Sequence, residues 1–250
     1  MTMANAALLK SEYDIVFAGG GTTACLVAGR LAKADPSLKL LVLEAGPHTN
    51  GKLEHIQPGR YLSHMRPGSI TTQTHIAKPS DSVAGRSIAV HCGSCVGGGS
   101  SVNLAMYNRA SASDYDDWET KYNNPGWGSS FLIPLLQKAE NYQVDPSDQN
   151  LSTHGYSGPL NVSLGGDFSL PAQQFLEIGS RIEQDRPISN DNNTLHPDSV
   201  NVFARIPKWI DGSSGKRSDT PHYFVYNQTD NKNLEVVDGC RVTRVIFEYV

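Results

Sequence analysis

The stretch Tyr13–Gly46, YDIVFAGGGTTACLVAGRLAKADPSLKLLVLEAG, decides the fold. A short apolar run, Ile15 to Ala18, breaks into Gly19-Gly20-Gly21. An Ala-rich segment of helical composition follows, and a second apolar run, Leu38 to Leu43, ends in Glu44. Strand, glycine turn, helix, strand and acid in that order make a βαβ unit of the dinucleotide-binding type. Gly19 permits the tight turn. Gly21 lets the backbone approach a pyrophosphate, which the helix N-terminal amides near Thr22 and Thr23 are expected to hold. Ala24 takes the third small position, where the strict pattern has Gly. Glu44 stands 23 positions after Gly21, near the spacing of an acid that accepts from a ribose hydroxyl. The alternative is a glycine turn without a ligand; the strand before it, the helix after it and the acid on the next strand tip argue against that.

The helix is expected over Thr22–Ala34, ended by Asp35-Pro36. Leu38–Leu43, apolar except for Lys39, reads as a buried parallel strand. From Pro47 to Arg86 the periodicity dissolves among Gly51, Pro58, Gly59, Pro67, Gly68 and Pro79, and a loop is expected that suits wrapping a large ligand. His48, His55, His64 and His75 carry no metal spacing and read as surface or satisfied polar residues.

A second glycine segment lies further on. Gly97-Gly98-Gly99 meets Ser100-Ser101 and then Val102-Asn103. A glycine run feeding a Ser-capped helix start suits an anion or a closely approaching planar ligand; a plain glycine loop is the alternative, made less attractive by the first motif. Asn103 can orient a ring or a phosphate as donor and acceptor. Arg109, Asp114, Asp116 and Asp117 read as solvated helix-start chemistry.

Beyond the turn Pro125–Gly128, Ser129 or Ser130 is expected to cap a helix running to about Tyr142, with Phe131, Leu132, Leu135 and Leu136 on its buried face. Residues 143–158 are polar and mark a boundary. A strand over Pro159–Leu164, a helix over Pro171–Arg186 with Phe175, Leu176 and Ile182 inward, and a strand over Val202–Ile210 follow. Ser218-Asp219 leads into a helix over Thr220–Tyr226. Leu234–Val237 and Val242–Val250 read as two strands around Asp238-Gly239. An apolar strand running to the last residue is read as the mark of a fragment.

The 250 residues are 38% apolar and 18% charged with a net charge of -4, a globular composition for one large or two smaller domains. Mild acidity gives no reason to expect nucleic acid or a membrane surface as partner. No run reaches transmembrane length, and the N-terminus lacks the basic start of a secretory signal. The sequons at Asn150, Asn161, Asn192 and Asn227 are therefore expected to stay unmodified. Among four cysteines, Cys25 reads as a core residue. Cys92 and Cys95 form a CxxC, which has redox and half-zinc-site readings but no second ligand pair, so no metal is expected.

In family order the chain carries AGGGTTA (Ala18–Ala24), LEAG (Leu43–Gly46), Gly85-Arg86, VGGGSSVN (Val96–Asn103), MYNR (Met106–Arg109), ASDYDDW (Ala112–Trp118), the Pro125–Trp127 turn, RSDT (Arg217–Thr220) and NLEVVDGCRVTRVIFE (Asn233–Glu248). Together these resemble the glucose–methanol–choline (GMC) flavoprotein oxidoreductases from Tyr13 onward, and within them the fungal and yeast alcohol (methanol) oxidases. The resemblance implies an α/β fold: a Rossmann-like FAD-binding domain of the GMC/PHBH type with part of an α+β substrate-binding domain. Residues 1–157 would be the first part of the FAD domain, 158–232 part of the substrate domain, and 233–250 strands returning to the FAD domain. It further implies that Gly19, Gly21, Thr22 and Thr23 hold the FAD pyrophosphate and that Glu44 holds the adenosine ribose. Gly98, Ser100 and Asn103 would border the pyrophosphate and isoalloxazine, and Val242 would meet the adenine end through its backbone. Val102 stands where some relatives attach FAD to a His, so the flavin is expected to be non-covalent. The implied reaction takes a small primary alcohol and O2 to aldehyde and hydrogen peroxide in a peroxisomal homo-oligomer. The family's base is a His near the C-terminal end with a second His or Asn beside it; nothing here matches that segment, and no catalytic residue is assigned. Other family oxidases or dehydrogenases (aryl-alcohol, formate, polyol) and a non-catalytic FAD-binding fragment are the alternatives. An NAD enzyme leaves the second glycine motif without a role.

Overall fold

A computed structural model describes residues 12–144, 153–195 and 200–247. In chain order the regular elements are β1 (Ile15–Ala18), α1 (Thr22–Ala34), β2 (Leu40–Leu43), α2 (Leu53–Ile56), β3 (Thr72–Ile76), β4 (Ala89–Gly93), α3 (Ala112–Thr120) and α4 (Ser129–Ala139). Then come β5 (Glu140–Tyr142), β6 (Leu160–Val162), α5 (Leu170–Ile182), β7 (Ile188–Ser189), β8 (Phe203–Ala204), α6 (Thr220–Phe224) and β9 (Leu234–Val237). They group into two compact units, residues 1–104 with 219–250, and residues 105–218. β5, which precedes the division expected at 157/158, pairs with β6, which follows it. No helix among the described residues is long and apolar enough to cross a membrane.

The first unit is built on a parallel sheet ordered β1-β2-β9. β2 is its centre, with Leu40 opposite Ile15 on one side and Leu234 on the other. That position explains its near-unbroken apolar run: Leu40 and Val42 are fully buried. α1 returns over the sheet through the small face Cys25, Ala28, Gly29 and Ala32, all buried. Gly29 is required there, since a Cβ would lie 1.9 Å from the carbonyl oxygen of Phe224 in α6. Leu41, Val237 and Cys240 form a small core with Tyr13 and Leu43 packed against it.

Several expectations for this unit are corrected. The expected loop between Pro47 and Arg86 holds α2, a 3-10 helix over Pro58–Met65 and β3, which pairs antiparallel with β4 from Thr72↔Gly93 to Ile76↔Ala89. Both strands expose most of their side chains, so no burial pattern marks them in the sequence. The second strand expected from Val242 onward is absent among the described residues. The chain turns at Asp238-Gly239 and leaves the sheet, and Val245, Ile246 and Phe247 are exposed. Alternation without a ladder partner does not make a strand.

The second unit packs α3, α4 and α5 with the short parallel pairs β5–β6 and β7–β8. α3 begins with a capping box in which Ser111 and Asp114 exchange side-chain and backbone bonds. α4 lacks the expected serine cap, since its N-cap is Gly128, and it ends at Ala139 because residues 140–142 enter β5. The expected strand over Val202–Ile210 reduces to Phe203–Ala204 and single bridges at Lys208 and Ile210, interrupted by Pro207, which has no amide to donate. The expected inward faces are also corrected. Phe131 and Leu135 of α4, and Phe175 and Ile182 of α5, are more than half exposed. Core packing falls instead to Tyr107, Tyr142 and Val162, with Trp209 tilted onto Tyr107 at 4.2 Å between ring centres.

Arg109 is the largest reversal. Expected at the surface, it is 6% exposed and ion-paired with the fully buried Glu140. Its Nε donates to the Tyr107 hydroxyl (2.7 Å), and its backbone amide to Asn193 Oδ1 (2.9 Å).

Candidate functional site

The site begins where β1 ends. Gly19 takes φ +109°, a conformation that side chains disfavour, and a Cβ on Gly19 or Gly21 would meet nothing within 4 Å. The space in front of this turn is open. Gly21 is the N-cap of α1 and supplies no side-chain cap, while Thr22 and Thr23 are exposed at the helix start. An uncapped 13-residue helix presenting its first amides to open space is an anion site by backbone chemistry alone.

The second glycine motif comes against the first. Gly97 N donates to Gly20 O (2.7 Å), Thr22 Oγ1 donates to Gly97 O (3.1 Å), and Ser100 N donates to Thr22 Oγ1 (3.2 Å). A Cβ on Gly98, which has φ +52°, would sit 3.0 Å from the Gly21 Cα. Two motifs far apart in sequence thus make one double glycine wall. The expected Ser-capped helix after it is a single 3-10 turn over Gly98–Ser101, with Gly97 as N-cap and no side-chain cap. Asn103 follows at the surface, its amide donating to Gly99 O (3.0 Å).

Behind this turn stand Asp219 and His222, which the sequence reading gave no role at the site. Ser101 is fully buried and donates to Asp219 Oδ2 (2.7 Å); the other oxygen of Asp219 accepts the His222 amide (3.1 Å) and lies 2.6 Å from His222 Nδ1. Ser100 Oγ donates to Gly97 O (2.7 Å) and meets Thr220 Oγ1 (3.1 Å). His55 Nδ1 lies 2.9 Å from Ser101 O, and burial lowers the pKa of His55. Its ring lies tilted against that of His64, 4.5 Å between centres, and the His64 nitrogens meet Thr71 Oγ1 and Glu54 O. Both histidines are thus buried polar residues with partners, as the sequence reading allowed. RSDT was legible as a motif; its bracing role was not, because Asp219 acts across 118 residues.

Glu44, at the tip of β2, is 8% exposed. Its Oε2 accepts the Gly20 amide (2.7 Å) and its Oε1 the Gly46 amide (2.8 Å), so the carboxylate braces the first glycine turn. Each oxygen keeps a further lone pair for a hydroxyl. A cavity of about 280 Å³ opens beside it, lined among others by Gly19, Glu44, Cys240 and Val242. It lies beyond the carboxyl ends of β1 and β2, where open α/β sheets bind nucleotides. Gly19, Glu44 and Val242 therefore share one cavity, while Gly21, Thr22, Gly98 and Ser100 meet at the double wall.

Two of the thiols are buried behind the turns. Cys25 Sγ donates to Gly20 O and Cys95 Sγ to Gly98 O, and burial pushes both pKa values up to about 12. Cys92 is exposed, all four cysteines are free, and no metal-holding group occurs among the described residues. The arrangement offers backbone amides and a strand-tip carboxylate to a ligand, and among the described residues neither glycine turn carries an acid, base or nucleophile poised for reaction.

Comparison with known proteins agrees with this architecture. The chain is 37% identical over 241 residues to an alcohol oxidase of Candida boidinii, covering 96% of this chain and 35% of that relative. Among solved structures it is similar to pyridoxine 4-oxidase from Mesorbium loti (TM-score 0.78, 25% identity, 95% of this chain and 44% of that one). It is also similar to an FAD-dependent oxidoreductase from Chaetomium thermophilum (TM-score 0.76, 25% identity, 90% of this chain and 38% of that one). The chain thus spans about a third of the length of the curated relatives it matches. With the double glycine wall, the strand-tip acid and a family model matching residues 13–249, the chain belongs to the GMC oxidoreductases.

Proposed function

We propose that this chain forms the nucleotide-holding part of an FAD-dependent alcohol oxidase. The observation that carries the reading is the junction of the two glycine turns in front of the uncapped N-terminus of α1. The open space over Gly19 and Gly21 and the carboxylate at the β2 tip fit a dinucleotide, and the identity to an alcohol oxidase gives the chemical class.

In this reading the amides at Thr22 and Thr23, with Gly19 and Gly21, hold the pyrophosphate. Glu44 accepts from the adenosine ribose while keeping its two amide partners, and the backbone at Val242 borders the adenine. Gly98, Ser100 and Asn103 line the side toward the isoalloxazine. Ser100 contributes chiefly backbone and shape, since its hydroxyl is engaged by Gly97 and Thr220. Val102 has no nucleophilic atom for a covalent flavin link, so FAD is bound non-covalently. FAD supplies the two-electron acceptor for taking a short primary alcohol such as methanol to its aldehyde, with O2 reduced to hydrogen peroxide. The chain's residues bind, orient and shield; none is assigned as the base. By the same family likeness, the whole enzyme is a peroxisomal homo-oligomer.

An absorbance spectrum of the purified chain, taken before and after acid precipitation, tests this. Flavin bands that stay in the supernatant are expected. Failure to take up flavin from excess FAD overturns the binding site, and flavin that precipitates with the protein overturns the non-covalent assignment. Peroxide release from methanol, compared with aryl alcohols, formate and polyols in flavin-loaded protein, tests the substrate class. Flavin retention without turnover on any of them favours a binding fragment.

A further inference from the structure

The second unit encloses a set of charges unconnected with the nucleotide site. His154 is buried, with Nδ1 3.0 Å from Glu140 Oε1 and Nε2 2.7 Å from Asp191 Oδ2. Its ring lies flat on Tyr142, 3.8 Å between centres and 13° from parallel. Arg109 pairs with the same Glu140, the Tyr107 hydroxyl accepts from Arg109, and Tyr156 packs edge-on against Tyr142.

Hydrogen-bond geometry counts the protons. Glu140 Oε1 accepts from Arg109 Nη2 and from the Gly155 amide (2.8 Å), groups that can only donate. That oxygen therefore carries no proton, and the ring nitrogen facing it must be an N–H. On the other side Asp191 Oδ1 accepts the Asn193 amide (2.8 Å), and Oδ2 faces Nε2. A neutral imidazole has one N–H and one lone pair, so a neutral His154 fits here only if Asp191 Oδ2 itself carries the proton, whereas the imidazolium donates to both carboxylates. In the imidazolium form two cations, Arg109 and His154, balance two carboxylates, Glu140 and Asp191.

We propose that His154 is doubly protonated in the folded protein and acts as a proton-operated pin, joining β5, the loop at 153–156 and the loop at 189–194, so that this unit loosens as pH rises. The balance of forces agrees. Burial disfavours the imidazolium, but the hydrogen bonds and charges of Asp191 and Glu140 outweigh it and raise the pKa of His154 above its ordinary value. Burial likewise opposes the Asp191 carboxylate, and His154 with the Asn193 amide outweighs it and holds the group below the usual range. A histidine raised on folding contributes stability that is fully present below about pH 6.5 and is lost as pH rises through the folded value.

The test uses the whole chain. Long-range proton–nitrogen correlation spectra of the imidazoles are recorded on wild-type protein from pH 5 to 10, with His154→Gln giving the assignment. The expected result is one histidine with both nitrogens protonated at pH 7, losing that state as the melting temperature falls. A single-tautomer, neutral His154 at pH 6.5 overturns the proposal. Should His154→Gln fail to fold, through-space contacts between the imidazole and the stacked Tyr142 ring supply the assignment. Asp191→Asn removes one of the two charges and is expected to lower the titration midpoint by about one pH unit or more. A midpoint that does not move in that variant also overturns the proposal, as does a wild-type melting temperature that stays flat while His154 deprotonates.

Discussion

Replacing Glu44 by Gln separates the bracing role of this side chain from any role toward a ligand. The carboxylate takes two buried amides at 2.7 and 2.8 Å, one from each turn it joins. Hydrogen bonds to a charged acceptor contribute about 1.5–3 kcal/mol each, and a buried donor left unpaired costs about 1–3 kcal/mol. Glutamine keeps one oxygen, so one amide retains a weaker bond. The other then faces an NH2 group, donor against donor, at a residue only 8% exposed. The expected loss is about 2–4 kcal/mol without any ligand present. At about 2–4 °C per kcal/mol for a protein of this size, the melting temperature should fall by roughly 4–16 °C. Urea denaturation of the flavin-free chain measures it. A variant within about 0.5 kcal/mol of wild type refutes the reasoning, because a freely adjusting or hydrated carboxylate would tolerate the exchange.

Three further outcomes follow from the same packing. Gly29→Ala drives a Cβ to 1.9 Å from the Phe224 carbonyl oxygen, so α1 and α6 must part; denaturation should show a loss of about 1–3 kcal/mol or more. Asp219→Ala removes the acceptor for Ser101 and for the His222 amide, and is expected to cost about 2–4 kcal/mol and to weaken FAD retention in a flavin titration, through the slackened Gly97–Ser101 turn. Alkylation of the native protein at pH 8 should label Cys92 first, leaving Cys25 and Cys95 unmodified until the chain unfolds, as peptide mapping would show; early labelling of Cys25 would contradict its burial.

What was legible in the sequence was local chemistry with a strong period. α1 spans Thr22–Ala34 as read, because the glycine turn and Asp35-Pro36 punctuate it; β2 begins two residues later than read, after Lys39. The meeting of the two glycine motifs was suggested only by their coexistence, and their hydrogen bonds supply the geometry. Contacts that depend on distant partners were hidden. Arg109 was read as solvated together with the nearby Asp114, Asp116 and Asp117, whereas its partners Glu140 and Asn193 lie 31 and 84 residues away. The β3–β4 hairpin was missed because its strands bury no consistent face. For α4 and α5, helical periodicity located the elements but not a surface to cover Phe131 or Phe175.

The sheet order also sets a timetable for synthesis. β2 lies between β1, its near neighbour in sequence, and β9, whose Leu234 pairs with Leu40 across an intervening chain of about 190 residues. At about 5–20 residues per second, β2 emerges from the ribosome on the order of 10–40 s before its second partner exists. During that interval one edge of its backbone and the apolar side chain of Leu41, which packs on Val237 and Cys240, have no native cover. The compact unit over residues 105–218 is continuous in sequence and can close meanwhile. Completion of the nucleotide-binding sheet is therefore the late, high-contact-order event in this chain, and the nascent protein should depend most on chaperones between the synthesis of β2 and that of β9.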